Sequence, residues 1–230
     1  MVRRRMADPT SAPGRRVPAA VLWDMDGTLV DTEPYWIASE FALAERLGAQ
    51  WSREHALTLV GRDLLVAGRY IREHMGIDLT PEEIVEDLLD GVVERVRLRV
   101  PWRPGAVDLL AMLHEAGMPC ALVTMSYQRF VAPILEHLPP ETFRAVVTGD
   151  RIRMGKPHPE PYLTAAAALG VHPEDCVAIE DSVTGVTSAE TAGCRVLVVP
   201  NHVAVPEGPR RVFRDTLAGL TLDELYALCA

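Results

Sequence analysis

The sequence has few cysteines and no long apolar run. Its four cysteines form no CxxC pair and no cluster with the spacing of metal ligands, and Cys120 and Cys176 lie in apolar runs that favour burial. No stretch approaches the roughly 18 apolar residues that a membrane-spanning helix needs. The nucleotide-binding pattern GxxxxGK[ST] is also missing. These absences argue against a cysteine-based metal site, a membrane span and a P-loop, and they suit a cytoplasmic protein.

Positive charge is also scarce, since the formal net charge is -9. The first seventeen residues carry five arginines and one aspartate, so the rest of the chain is still more acidic. We expect residues 1–17 to form a poorly ordered basic tail without the apolar run of a secretory signal. An acidic body does not suit a nucleic-acid binder. If the protein binds an anion, a divalent cation and a lysine must reverse the local sign of charge.

The apolar pattern divides the remaining chain into three segments. Residues 18–32 begin with an all-apolar strand (AAVLW) of the kind found in parallel sheets that are covered on both faces. Residues 33–100 show only helical spacing, including a helix that starts at Thr80 with proline next and glutamate three residues on. In residues 101–230 strands alternate with helices, and CRVLVVP is the final strand that the pattern predicts. The fold class is therefore α/β, a Rossmann-like parallel sheet core interrupted by a helical insertion.

Polar side chains of a few reactive types follow the predicted strands. Ligands of open α/β sheets bind at the carboxyl ends of the strands, so these side chains should meet at one place. They are Asp24 and Asp26 after the first strand, Thr124 and Ser126 after PCALV, Lys156 in the loop GKPHPEP, and Glu180 and Asp181 after CVAI.

Such a set of residues suits phosphate chemistry. Carboxylates about 4 Å apart repel one another by about 4 kcal/mol per pair at an effective dielectric constant near 20, and Mg²⁺ would relieve that repulsion. An aspartate can attack phosphorus and form an aspartyl phosphate. Asp24 and Asp26 are two residues apart, which directs both side chains to one face of a strand. One of these acids can then attack while the other transfers a proton.

Four segments of the chain resemble the motifs of the haloacid dehalogenase-like phosphatases: DMDGTLVDTEP, LVTMS, GKPHPEPYL and AIEDS. Their order is the same, and the likeness extends from residue 20 to about residue 200. The helical insertion resembles the small cap of the subgroup that contains β-phosphoglucomutase and sugar phosphatases. The resemblance implies a core of residues 18–32 and 101–230, a cap of residues 33–100, and Mg²⁺-dependent hydrolysis of a small phosphorylated metabolite, with sugar or polyol phosphates favoured.

The resemblance also implies a role for each motif residue. Asp24 would be the nucleophile, and Asp26 would protonate the leaving alcohol and then deprotonate water. Thr124 and Lys156 would bind the transferring phosphoryl group. The expected ligands of Mg²⁺ are Asp24, the backbone carbonyl of Asp26, Asp181 and, directly or through water, Glu180.

Residues of the insertion should select the substrate. We expect hinges near residues 31–34 and 99–104, and substrate contacts from Glu33, Trp36 and Arg62. Trp36 stands where the phosphomutase has a histidine, which favours hydrolysis, with a β-phosphoglucomutase-like reaction as the alternative.

A phospho-accepting signalling module is the alternative from another class, although such modules lack an insertion of this length. Ser126 and Ser182 are interpreted as helix caps. We expect a monomer or a weak homodimer.

Overall fold

The protein was analysed as a computed structural model that describes residues 17–60 and 62–228. This part of the chain contains one six-stranded sheet and nine α-helices. The strands are β1 Ala20–Trp23, β2 Cys120–Val123, β3 Ala145–Val147, β4 Cys176–Glu180, β5 Arg195–Val198 and β6 Arg211–Phe213. The helices are α1 Glu33–Leu47, α2 Arg53–Leu59, α3 Leu64–Met75, α4 Pro81–Leu98, α5 Ala106–Glu115, α6 Gln128–Leu135, α7 Glu160–Leu169, α8 Val183–Ala192 and α9 Leu222–Ala227.

The sheet is parallel throughout and is covered on both faces, as the sequence predicts. Its strand order is β3-β2-β1-β4-β5-β6. Successive side chains of β1 point to opposite faces, so Val21 and Trp23 join one apolar layer while Ala20 and Leu22 join the other. All four of these residues are fully buried, which explains why β1 is apolar without alternation.

The order of the strands reverses between β1 and β4. The chain builds the sheet outward from β1 to β3, then crosses back and adds β4, β5 and β6 on the other side of β1. Such a switch point leaves a crevice beyond the carboxyl ends of the two neighbouring strands. Asp24 and Glu180 lie at these two strand ends, because Trp23 pairs with Ile179 in the register of the sheet.

Helices α1 to α4 follow one another without an intervening strand, as predicted for this segment. They share an apolar cluster of their own, which includes Leu43, Leu59 and Ile71. Helix α4 starts with the predicted capping box, in which Thr80 and Glu83 satisfy each other's backbone N–H groups. The same helix contributes Val92 to the apolar layer beneath the sheet. None of the helices in the described ranges is long and apolar enough to cross a bilayer.

Two linkers join the helical segment to the sheet, and they run side by side. Val30 and Trp102 form an antiparallel bridge. The backbone N–H of Asp31 donates to the carbonyl of Pro101 at 2.9 Å, and that of Arg103 donates to the carbonyl of Leu29, also at 2.9 Å. The segment is therefore held through a paired connection, at the positions where the sequence predicts hinges.

The prediction that CRVLVVP forms the last strand is wrong. Strand β6 extends the sheet beyond β5, and α9 follows it with a capping box of Thr221 and Glu224. Strand β6 has three residues at the edge of the sheet, and they are half-buried or exposed. A strand in this position does not need the apolar run that marks the buried strands, so the sequence pattern does not reveal it. The predicted tail lies outside the described residues except for Val17, which is exposed.

Two glycines with positive φ allow a matched test of how the C-terminal segment packs. A Cβ on Gly105 (φ 80°) would lie 2.3 Å from the backbone of Leu217 and Ala218, whereas a Cβ on Gly117 (φ 68°) would meet nothing within 4 Å. We expect Gly117→Ala to lower the free energy of unfolding by about 1–2 kcal/mol through backbone strain alone. Gly105→Ala adds a backbone clash, so its loss should be clearly larger in urea unfolding. Equal losses would show that the segment around Leu217 does not pack as described.

Candidate active site

A buried lysine connects the ends of three strands. The Lys156 ammonium donates to Asp24 Oδ1 at 2.7 Å, to Glu180 Oε1 at 2.7 Å and to the carbonyl of Val123 at 2.9 Å. An ammonium has three protons, so this geometry uses all of them. Burial alone would lower the pKa of Lys156, but the two carboxylates raise it above its ordinary value. Lys156 is therefore a fixed positive charge at the switch point.

Glu180 is held by more than the lysine. Its Oε1 also accepts from the Tyr162 hydroxyl at 2.6 Å, and its Oε2 accepts from the backbone N–H of Asp181 at 3.2 Å and the Ser182 hydroxyl at 3.3 Å. Glu180 is fully buried, and a Cβ on Gly185 would lie 1.9 Å from its Oε1. Both oxygens of Glu180 are thus engaged in positioning contacts.

Three acids are close enough together to hold a cation. Asp24, Glu180 and Asp181 each offer an oxygen, and these oxygens lie within 4.8 Å of one another. Oδ2 of Asp24 is buried and accepts no hydrogen bond within the described chain. An unpartnered buried carboxylate oxygen is costly, and a cation would satisfy it. The cluster therefore fits a divalent cation.

The electrostatics of the cluster also favours a bound cation. Burial and the charge of Glu180 raise the pKa of Asp24 against the opposing effect of Lys156. Burial and the charge of Asp24 likewise raise the pKa of Asp181. Without a cation, protons compensate the excess negative charge, so a cation and these protons compete for the same oxygens.

Gly27 lets the loop after β1 pass close to the cluster. Its φ is 90°, and a Cβ at this position would lie 2.0 Å from Oδ2 of Asp181. Any other residue would be strained and would displace that carboxylate. The glycine of the DMDGT segment is therefore required by the position of Asp181.

Asp26 lies in different surroundings from Asp24. Its Oδ1 accepts from the Thr32 hydroxyl at 3.0 Å, and its Oδ2 accepts from the hydroxyls of Ser126 at 2.7 Å and Thr124 at 3.4 Å. Burial raises the pKa of Asp26, although the three hydroxyls oppose the shift. Two acids that are neighbours in sequence therefore have separate sets of partners.

Three residues of this site have functions that sequence reasoning missed. Ser126 is not the cap of α6 as interpreted, because its hydroxyl reaches Asp26 and Tyr127 takes the N-cap position. Ser182 does cap α8, as predicted, by accepting from Gly185 N–H at 3.1 Å. Thr32 and Tyr162 gave no signal of their own. Thr32 directly precedes α1 and Tyr162 lies within α7, and each acquires its partner only through the fold.

The three residues predicted to face the substrate lie in different environments. Glu33 begins α1 and is half-buried, and burial raises its pKa, with Asp31 and Asp26 adding to the shift. Trp36 is half-buried and packs edge-to-face on Phe130, with 5.8 Å between ring centroids. Arg62 is exposed in the connection between α2 and α3.

Comparisons with known proteins identify the family to which the chain belongs. The family model of the haloacid dehalogenase-like hydrolases matches residues 21–199. Hexitol phosphatase B of Escherichia coli (strain K12) is 34% identical over 88% of this chain and 92% of its own length. Phosphoglycolate phosphatase 1 of Pseudomonas aeruginosa is 33% identical over 78% of this chain and 68% of its own.

A solved structure shows the same architecture. CbbY from Rhodobacter sphaeroides, crystallised in complex with phosphate, superimposes with a TM-score of 0.75 at 28% identity and covers 88% of this chain and 96% of that chain. On the family match, the sequence identities and this shared fold, the chain belongs to the haloacid dehalogenase-like hydrolases and is one of their phosphatases.

Proposed function

We propose that the protein is a Mg²⁺-dependent phosphomonoester hydrolase that acts on a small phosphorylated metabolite, with a sugar or polyol phosphate favoured. The observation that carries this proposal is the separation of two neighbouring acids. Asp24 is held by Lys156 and belongs to the cluster of three acids that fits a cation, while Asp26 lies among hydroxyl groups. A carboxylate held by a fixed ammonium group suits nucleophilic attack, and a carboxyl among neutral hydroxyl groups suits proton transfer.

In the first half of the reaction, an Asp24 oxygen attacks phosphorus and the bond to the leaving alcohol breaks. The alcohol oxygen takes its proton from Asp26, and an aspartyl phosphate remains on Asp24. In the second half, Asp26 removes a proton from water, and the resulting hydroxide attacks phosphorus. Phosphate leaves, and both aspartates return to their starting states.

The acids of the cluster define the cofactor that we propose. Asp24 and Asp181 would hold Mg²⁺, together with the backbone carbonyl of Asp26, and Glu180 would take part directly or through water. The cation would neutralise charge on the phosphoryl group. Because Lys156 is fully hydrogen-bonded in this structure, it would orient Asp24 and would have to give up one partner to contact phosphate.

The helical segment of residues 33–100 would serve as a cap that closes over the crevice. The paired linkers around Val30 and Trp102 support this assignment, since they bring both ends of the helical segment to one place, and helices α1 to α4 share an apolar cluster of their own. Closure excludes water from the site and brings Glu33, Trp36 and Arg62 toward the substrate. A cytoplasmic location and a monomer or weak homodimer remain predictions.

Replacing the nucleophile tests the reaction directly. Asp24→Asn should reduce phosphate release by at least about a thousandfold, because an amide oxygen cannot form the aspartyl phosphate. Rapidly quenched wild-type protein should carry a phosphoryl group on the peptide that contains Asp24, and the variant should carry none by mass spectrometry. Asp108→Asn, the same change at an exposed position of α5, is the matched control.

Hydrolysis by Asp24→Asn at the wild-type rate would remove Asp24 as nucleophile. Product analysis of the wild type also separates hydrolysis from the mutase alternative. The proposal requires free phosphate, whereas a rearranged sugar phosphate with no phosphate release would replace hydrolysis with phosphoryl transfer between hydroxyls.

Metal removal should change stability in a pH-dependent way. Because the pKa values of Asp24 and Asp181 are raised, above about pH 4 the folded protein binds more protons than the unfolded chain, and these groups make it less stable as the pH rises. Mg²⁺ must displace those protons, so its stabilising effect should be larger at pH 8 than at pH 6. At ten times its Kd, Mg²⁺ should raise Tm by about 3–6 °C.

Thermal unfolding with EDTA or with added MgCl₂ measures this difference. Asp181→Asn should lose most of the Mg²⁺-dependent gain, whereas Asp108→Asn should keep it. Activity should stop with EDTA and return with Mg²⁺. Metal-independent turnover, or an equal Mg²⁺ effect in Asp181→Asn, would contradict the proposed cation site.

A further inference from the structure

Helix α1 contains a buried acid that the reaction does not use. Glu40 is only 4% exposed. Its Oε2 accepts one hydrogen bond, from Trp51 Nε1 at 3.0 Å, and among the described residues no donor reaches Oε1 and no cation pairs with the side chain. A largely buried carboxylate with a single neutral partner costs stability. Its Oε1 is not among the fully buried unpartnered atoms of the described chain, so this oxygen is open to solvent or to a ligand.

The position of Glu40 on the helix relates it to the active site. Thr32, directly before α1, donates to Asp26, so the first turn of the helix is fixed at the catalytic acids. Glu33 and Glu40 are seven residues apart, which places them on one face of α1, about 10 Å apart along its axis. The charge of Asp26 contributes to the raised pKa of Glu33, and the charge of Glu33 contributes to the raised pKa of Glu40. A line of acids therefore leads from the catalytic centre along one face of the helical segment.

The surroundings of Glu40 suit neutral, hydroxyl-rich groups. Trp51, which holds Oε2, stacks on His55 with ring centroids 4.9 Å apart. Burial, with a smaller contribution from Glu33, raises the pKa of Glu40 to about 7. Above about pH 7 Glu40 is ionised, and a second anion beside it would meet like charge in a poorly solvated place, whereas hydroxyl groups can donate to the oxygen that Trp51 leaves free.

We propose that Glu40 is a specificity-determining residue whose free oxygen accepts a hydrogen bond from a hydroxyl of a polyol or sugar phosphate, and that Glu40 and Glu33 together exclude substrates with a carboxylate. This inference rests on the proposed phosphatase function and deepens it. It distinguishes the two substrate types that appear in the names of the relatives. Hexitol phosphates are uncharged beyond the phosphoryl group, whereas phosphoglycolate carries a carboxylate.

The test compares two substrates in one assay. We expect wild-type kcat/KM to be higher for a hexitol 6-phosphate than for phosphoglycolate. Glu40→Gln keeps the shape and an acceptor for Trp51 but removes the charge, so the ratio of the two kcat/KM values should fall by about tenfold, mainly through KM. Glu45→Gln, the same change on the exposed face of the same helix, should leave the ratio unchanged.

A second variant and a binding measurement separate recognition from a purely structural role. Glu40→Asp keeps the charge but withdraws it by one methylene, so it should weaken the hexitol phosphate reaction while phosphoglycolate stays excluded. In the inactive Asp24→Asn background, calorimetry should show weaker binding of the hexitol phosphate when Glu40→Gln is added. Wild-type and Glu40→Gln proteins should hydrolyse para-nitrophenyl phosphate, which has no hydroxyl chain, equally well.

The possible outcomes distinguish failure of the Glu40 inference from failure of the proposed phosphatase function. Wild-type protein that releases phosphate from no ester would overturn the proposed function and the inference with it. An active enzyme whose substrate ratio is the same in Glu40→Gln, or which prefers phosphoglycolate, would overturn the inference alone. A general loss that includes para-nitrophenyl phosphate would show that Glu40 only supports the fold.

Discussion

The hydrogen bonds of Lys156 are the interaction on which the site depends. One ammonium joins the end of β1, the end of β2 and the end of β4, through partners 132, 33 and 24 residues away in sequence. Without it, Asp24 and Glu180 would repel each other in a buried crevice, at a cost of several kcal/mol for like charges at about 4 Å. The parallel sheet makes the contact possible because it brings the carboxyl ends of these strands to one edge. The hydrogen bonds of Lys156 therefore hold three strand ends together and position Asp24 at the same time.

That constraint also explains how two acids in one short motif can differ in chemistry. Asp24 is held by the Lys156 ammonium and belongs to the cluster of three acids that fits a cation. Its ionised form would be favoured once a cation binds. Asp26, two residues on, is surrounded by the hydroxyls of Thr32, Thr124 and Ser126. Hydroxyls can donate to a carboxylate but do not carry the charge that would fix its protonation state. The charge of Asp26 still raises the pKa of Asp24, but it has a smaller effect than burial, Glu180 or Lys156, so proton transfer at Asp26 perturbs Asp24 only weakly.

The sequence predicts those features that local physics determines. The apolar run of β1, the capping box at Thr80 and the acids at the strand ends all follow from periodicity and turn chemistry, and the structure has each of them. The partners of Asp26 and Glu180 do not follow, because Ser126 and Tyr162 acquire them only through packing of distant segments. Strand β6 was missed because three partly exposed edge residues give no periodic signal. The capping box at Thr221 is a local signal from which α9 could have been predicted.

The distribution of charge separates binding of the phosphoryl group from selection of the rest of the substrate. Lys156 lies at the base of the crevice, but Asp24 and Glu180 already neutralise its charge. In the proposed function, affinity for phosphate would therefore come largely from a cation held by the cluster of acids. In the proposed complex the rest of the substrate would meet Glu33 and Glu40 of α1, which cannot attract a second anion. A substrate that satisfies both regions is anionic at one end and rich in hydroxyl donors at the other. Helix α4 and Trp36 also pack against the core, but neither contact involves the catalytic acids. Substitutions at Glu40 can therefore alter substrate choice while the catalytic charges stay in place.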